Sequence, residues 1–173
     1  MNMKITSNNI INGYFTDNIG HRGTHFLKNI MPNHSFHLAW KNLPAHTQSL
    51  ALVFIDHDAI PVCGFSWIHW LVANIDPTLK ELPENASATL NLLEGINSWN
   101  SDVIPAEWHL NKEEATAFGG CAPPDKEHLY TIELYALDKQ LELPSGFMMN
   151  ELLKAMKGHV LDKATLEALY KTK

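Results

Sequence analysis

The sequence predicts a mainly β fold of antiparallel strands with helices appended at its C-terminal end. Three observations predict it. Short aromatic and β-branched runs bounded by turn residues occupy the chain up to Leu137, with strands first and helices last. The run Ser49 to Ile55 is apolar on both faces, as a central strand is. After Phe147 the apolar spacing changes from alternation to the period of a helix. This order argues against a βαβ dinucleotide fold. With 173 residues, 45% of them hydrophobic, and no repeat or Gly/Ser linker, residues 1–173 form one domain with its own core.

The first strand runs over residues 36–41 and ends in the turn chemistry of Leu43-Pro44-Ala45-His46. Ser49-Leu50-Ala51-Leu52-Val53-Phe54-Ile55 is too short for a typical helix and rich in strand formers, and it stops at Asp56-His57-Asp58. Trp67 to Ile75 is a third strand, ended by Asp76-Pro77. Its alternation places Trp67, His69, Leu71 and Ala73 on one face. His128 to Leu137 is a fourth, with His128, Tyr130, Ile132, Leu134 and Ala136 together on one face. Residues 84–127 are polar and turn-rich and read as a long functional loop, with a short helix around Pro105–Ala115. Trp99 and Trp108 pack that loop onto the sheet. Two helices, Met148–Lys157 and Asp162–Lys171, separated by Gly158-His159, turn Leu152, Leu153, Met156, Leu166 and Leu169 toward the core.

Composition excludes several classes of function. Nineteen acidic against thirteen basic residues, with no run of Lys or Arg, argue against nucleic acid as a partner. Ten histidines make the net charge of −6 strongly pH-dependent. No apolar window is long enough to span a bilayer, and no basic amphipathic helix is present to lie on one. With no basic-then-apolar leader at Met1–Asn9, a cytoplasmic protein without stable membrane insertion is expected. In that compartment Cys63 and Cys121 are expected as free thiols.

Polar residues break the apolar strands at three places: Asp56 and Asp58 at a strand end, His69 within a strand, and His128 with Tyr130 at a strand start. Converging, they make a pocket. A carboxylate beside an imidazole favours its charged form, and an imidazolium next to a phenol donates hydrogen bonds to an anion such as phosphate. On that reasoning Asp56 orients and charges His69, and His128 and Tyr130 donate to the same anion.

At these residues the sequence resembles the phosphatidylethanolamine-binding proteins, in particular their bacterial Raf-kinase-inhibitor-like branch. Ser49 to Ala59 followed by Pro61 is similar to the family's strand leading into its Asp-Pro-Asp-Ala-Pro signature. Ile68-His69-Trp70-Leu71-Val72-Ala73-Asn74-Ile75 resembles its His-Trp-Val-x-x-Asn-Ile strand. Gly119-Gly120-Cys121-Ala122-Pro123-Pro124, then His128-Leu129-Tyr130, resembles its Gly-Pro-x-Pro-Pro and His-Arg-Tyr segment. The resemblance implies a Greek-key β-sandwich with a small anion pocket at one end. It makes Asp56, His69, His128 and Tyr130 the ligand-binding residues and Pro123 and Pro124 the pocket wall; Asp58 and Pro61 are assigned to loop support, Asp58 because two bare carboxylates facing a phosphate would repel it. Three departures stand out. His57 replaces the signature's first Pro, Ile60 intervenes before Pro61 so that the isomer of that bond is open, and Leu129 stands where Arg is usual.

The leading functional reading is a non-catalytic binding protein for a small anion, phosphate or a phosphoethanolamine-like headgroup, with no cofactor. By analogy with the family it extends to regulation of a protein partner such as a kinase, and to a homodimer. A second reading is a metal-assisted hydrolase or phosphoesterase using Asp56-His57-Asp58 with His69 and His128, residue types that suit zinc. Against it, neighbouring strand residues point to opposite faces, and the chain has no His-Glu-x-x-His. A third reading is a scaffold acting through its surface.

Overall fold

In the computed structural model, residues 2–173 are described, and they form two packed sheets and a separate two-stranded ribbon of Phe26–Leu27 with Met31–Pro32. The strands are β1 (Lys4–Thr6), β2 (Ile10–Ile11), β3 (Tyr14–Phe15), β4 (Phe26–Leu27), β5 (Met31–Pro32), β6 (Leu38–Lys41), β7 (Ser49–Asp56), β8 (Trp67–Ile75), β9 (Glu81–Leu82), β10 (Leu93–Glu94), β11 (His128–Leu137) and β12 (Val160–Tyr170). Three short helices accompany them: α1 (Ile60–Cys63), α2 (Ala86–Thr89) and α3 (Met149–Met156). The large sheet has the order β10-β8-β7-β11-β12-β3-β2, and β1-β6-β9 forms the facing sheet. β7, β8 and β10 follow one another antiparallel, and β11 returns after a long connection to lie beside β7. That arrangement is a Greek key. β7 is buried at every residue, as its unbroken apolar run requires of a strand covered on both faces.

Its two faces feed two cores. Leu50, Leu52 and Phe54 point between the sheets and meet Ile5, Leu38, Trp40 and Leu82 of the small sheet. Ala51, Val53 and Ile55 point the other way, under Leu152 and Met156 of α3. At ~25 cal/mol per Å² of apolar surface, each buried Leu, Ile, Val, Phe or Met side chain among them stabilises the fold by about 1.5–3 kcal/mol. A smaller cluster of Met31, Trp99, Leu110 and Ala115 anchors the long 84–127 connection.

Strands β7, β8 and β11 and helix α3 lie where the sequence predicts them. The second C-terminal helix does not form. Residues 160–170 are strand β12, paired along its length with β11 and, at Leu169, parallel to Tyr14 of β3. The segment contains an alternation as well as a helical spacing. Ala164, Ala168 and Tyr170 are buried, with Leu166 packed against the same core, and their neighbours face outward. The free edge of β11 selects the period-two solution, because burying β11 unpaired would leave its backbone groups without partners. Leu153 is also exposed rather than core-facing, since α3 turns only Leu152 and Met156 inward. The helix expected over residues 105–115 is reduced to a single 3-10 turn, Ala106–Trp108.

Candidate functional site

One end of the large sheet forms the floor of a cavity of about 750 Å³. The strand register builds it. Tyr130 of β11 lies directly opposite Asp56 of β7, and Asp56 lies opposite Trp67 of β8. Tyr130, Asp56 and Trp67 therefore form a row across three strands, and His128 stands two residues beyond Tyr130 on the same face. All four line the cavity, together with His69, Pro123 and Pro124.

His69 reaches the floor through a β-bulge. Phe54 opposes Trp70 and Ile55 opposes Ile68, so His69 is the extra residue in β8. The bulge turns it away from the face of Leu71 and Ala73, where strict alternation predicts it. Its ring instead lies 5.3 Å from the Phe54 ring, 5.2 Å from Tyr130 and 5.4 Å from Trp99. Its Nδ1 donates to the carbonyl of Gly119 at 2.8 Å, and Gly119 N donates back to the His69 carbonyl at 2.8 Å. A ring whose Nδ1 carries the proton presents Nε2 as an acceptor. Burial pushes its pKa down to about 4, outweighing the attraction of Asp56, so the ring is neutral around pH 7.

Asp56 therefore does not charge His69. Its partner is His128, whose Nδ1 donates to Asp56 Oδ2 at 2.7 Å, both side chains being buried. His128 Nε2 donates to Asp125 Oδ1 at 2.9 Å. Burial opposes a charge on His128, but the two carboxylates together outweigh it and raise its pKa. Both ring nitrogens face acceptors, which is the arrangement an imidazolium requires. The hydrogen bond from His128 in turn holds the Asp125 carboxyl below its ordinary value. The remaining Asp56 oxygen, Oδ1, accepts from Ala59 N at 3.2 Å and so caps the turn into α1.

Tyr130 is fully buried, and burial raises its pKa well above 10, so the phenol keeps its proton. Its oxygen accepts from Ala122 N at 3.2 Å, which leaves the hydroxyl hydrogen available to a ligand. Asp58 turns away from the cavity floor and accepts from Leu129 N at 2.8 Å, tying the end of β7 to the start of β11. Pro61 lies outside the cavity lining, exposed in the first turn of α1, and the Ile60–Pro61 bond is trans. His57 is exposed, with Nδ1 against Ser66 Oγ at 2.8 Å, so it does not join Asp56 and Asp58 at one point. Among the described residues no three His, Cys, Asp or Glu side chains are placed to hold a metal ion.

The segment 117–122 that shapes one wall is tethered at every step. Ala117 O accepts from Asn97 Nδ2, Phe118 N donates to Ser87 Oγ, Gly120 N donates to Pro32 O and Cys121 N donates to Ile19 O. Glycine is required twice here. A Cβ on Gly119 would lie 2.4 Å from the Trp99 ring, and one on Gly120 would lie 2.3 Å from Ile19 O. Sequence reading does not find Trp67, Trp99, Phe26 or His21 as parts of the cavity lining, nor Asp125 as the second partner of His128. Asp125 follows Pro123-Pro124 directly, but no sequence pattern announces that its side chain reaches three residues forward to His128. Trp99 lies in the cavity wall, against Trp67 at 5.0 Å, and Trp108 hangs exposed at the mouth.

The model of a protein family described as phosphatidylethanolamine-binding protein matches residues 3–171 of this chain. The chain belongs to that family. It is 45% identical over 137 residues to the uncharacterized protein YxkA of Bacillus subtilis, covering 78% of this chain and 80% of the relative. It is 30% identical over 149 residues to the UPF0098 protein YbhB of Escherichia coli, covering 83% and 84%. The crystal structure of a phosphatidylethanolamine-binding protein homologue from Chlamydia trachomatis superposes with a TM-score of 0.79 at 26% identity, over 99% of both chains. Escherichia coli YbcL, at 24% identity and a TM-score of 0.72 over the whole of both chains, shares the fold. The Greek-key β-sandwich implied by the family resemblance is the fold observed, and Leu129 in place of the usual Arg is 39% exposed beside the site.

Proposed function

We propose that this protein is a non-catalytic binding protein whose cavity takes a small phosphoryl-bearing ligand. The observation that carries the reading is the convergence of buried Asp56, His69, His128 and Tyr130 on the floor of one cavity, beneath walls of Trp67, Trp99, Pro123 and Pro124. The floor offers three contacts of different kinds. His128, which its two carboxylates push toward the charged form, can donate from Nε2 to a ligand that takes the place of Asp125, Tyr130 has a free hydroxyl hydrogen, and neutral His69 offers an acceptor at Nε2. A phosphoryl group carrying one proton matches all three, since its oxygens accept from His128 and Tyr130 while its P–OH donates to His69.

Calorimetric titration of inorganic phosphate and of phosphoethanolamine into the wild type and His69→Ala tests this. Binding is expected to be tighter at about pH 6 than at about pH 8. Phosphate monoesters have a second pKa of about 6, so the lower pH favours the singly protonated ligand as well as charged His128. His69→Ala should abolish the heat. A response to phosphoethanolamine alone would identify a headgroup ligand, and equal responses a site for phosphate itself. Silence of the wild type with both ligands overturns the reading for the protein as it stands.

A further inference from the structure

His128 has two ring nitrogens, and the fold spends both. Nδ1 is held by buried Asp56, so Nε2 is the one N–H through which this residue can meet a ligand. That position is taken by Asp125, with Oδ1 at 2.9 Å. The two carboxylates differ in kind. Asp56 is 3% exposed and fixed from two sides by His128 and the Ala59 amide. The Asp125 side chain is 50% exposed, and His128 is its side-chain partner. It sits in the 124–127 turn, just beyond the Pro123-Pro124 wall.

We infer that Asp125 is an internal occupant of the anion position: its carboxylate holds His128 Nε2 in the empty protein, and an incoming anion must displace it. The inference rests on the cavity binding a phosphoryl group as proposed above, and it sets which anions succeed. Exchange at Nε2 replaces one charge-assisted hydrogen bond by another and gains little. A ligand therefore binds only if it brings contacts that Asp125 does not make. On the proposed function a phosphoryl group does so, since its further oxygens have the Tyr130 hydroxyl and His69 Nε2 as partners. A simple carboxylate such as acetate merely substitutes for Asp125. The released side chain returns to water at little cost because it is half exposed already.

Removing Asp125 has two opposing effects. It frees Nε2 and removes a negative charge that repels the ligand, but it also withdraws one of the two groups that favour the imidazolium. Asp56 remains at Nδ1, and the bound anion takes over the second role, so the first effect dominates.

The test is calorimetric titration of inorganic phosphate, phosphoethanolamine and acetate into the wild type, Asp125→Ala and Asp125→Asn at about pH 6. A hydrogen bond to a charged group contributes about 1.5–3 kcal/mol, so phosphate should bind Asp125→Ala at least about tenfold more tightly than the wild type. Acetate binding should become measurable only in the variants, with Asp125→Asn intermediate because its amide oxygen still accepts from Nε2. A wild type that binds phosphate while Asp125→Ala binds it no more tightly overturns this inference and leaves the functional reading intact. Silence of both proteins overturns the two together, whereas binding seen in the variant alone overturns the functional reading for the wild type while supporting Asp125 as the group that holds the position closed. NMR titration of the His128 ring gives a ligand-free check. Its pKa should fall in Asp125→Ala, and an unchanged value would show that the contact is not made in solution.

Discussion

At the floor of the cavity, Tyr130, Asp56 and Trp67 are held by the pairing of three strands, each set by a ladder that continues into the core. At the rim, Val103 and Trp108 hang from a segment whose backbone bonds are local: Ile104 N to Ser101 O, Trp108 N to Pro105 O and His109 N to Ala106 O. Only the neck of that loop is fastened, by Leu110 N to Trp99 O and Asn100 Nδ2 to Leu110 O. Asp56 and Tyr130 are accordingly buried and Trp67 half-buried, while Val103 is 75% and Trp108 52% exposed. The contrast separates two jobs within one site. Under the proposed function, polar groups that must keep a fixed geometry stand on the paired sheet, and apolar groups that need only cover a ligand stand on a locally bonded loop.

The sharpest way to break the contrast is to hollow out the floor from beneath. Phe54 packs against the rings of Phe36, Phe118, Tyr130 and His69. Phe54→Ala should cost about 3–5 kcal/mol, read as a lowered urea midpoint, because the surrounding rings can close the cavity only in part. A loss below about 1 kcal/mol would mean that the floor is not rigidly supported.

Next in size is the acid response of His69. Its folded pKa of about 4 lies below the unfolded value of about 6.5, so the unfolded chain takes up a proton first as the pH falls. The stability associated with keeping this ring neutral is fully present above about pH 6.5 and is lost on descending to about pH 4, by about 3 kcal/mol. His128 behaves oppositely, since its raised pKa gives stability at low pH that is lost as the pH rises through the folded value. Urea unfolding of the wild type and His69→Gln between about pH 4 and 7 isolates the first term. The variant should lose less stability on acidification, and parallel curves would refute a buried neutral His69.

The same division explains what could be read from the sequence. β7, β8 and β11 announce themselves because their apolar runs are long and bounded by Asp or Pro, and the polar residues interrupting them are the floor. Pairing partners are not local information. Asp56 lies next to β11 in space, and only the register reveals that it serves His128 rather than His69. The bulge at His69 is invisible for the same reason, because alternation cannot show an extra residue that one partner strand skips. Val160–Tyr170 satisfies both a helical and a strand period, and the exposed edge of β11 decides between them. Residues 4–32 form five strands of two or three residues, too short for any period to emerge.

The smallest expected effect sharpens the contrast most, because it asks the rim for a signature the floor cannot give. Trp108 is half exposed, so Trp108→Ala should change stability by no more than about 0.5 kcal/mol. If the floor reads the phosphoryl head and the rim covers whatever is attached to it, affinity for inorganic phosphate should be unchanged in this variant. Phenyl phosphate, whose ring can lie against the indole, should lose the about 0.5–1.5 kcal/mol of an aromatic contact, or about two- to tenfold in affinity. Equal loss for both ligands would place Trp108 in the polar machinery. Loss for neither would remove the rim from recognition and leave the floor to act alone.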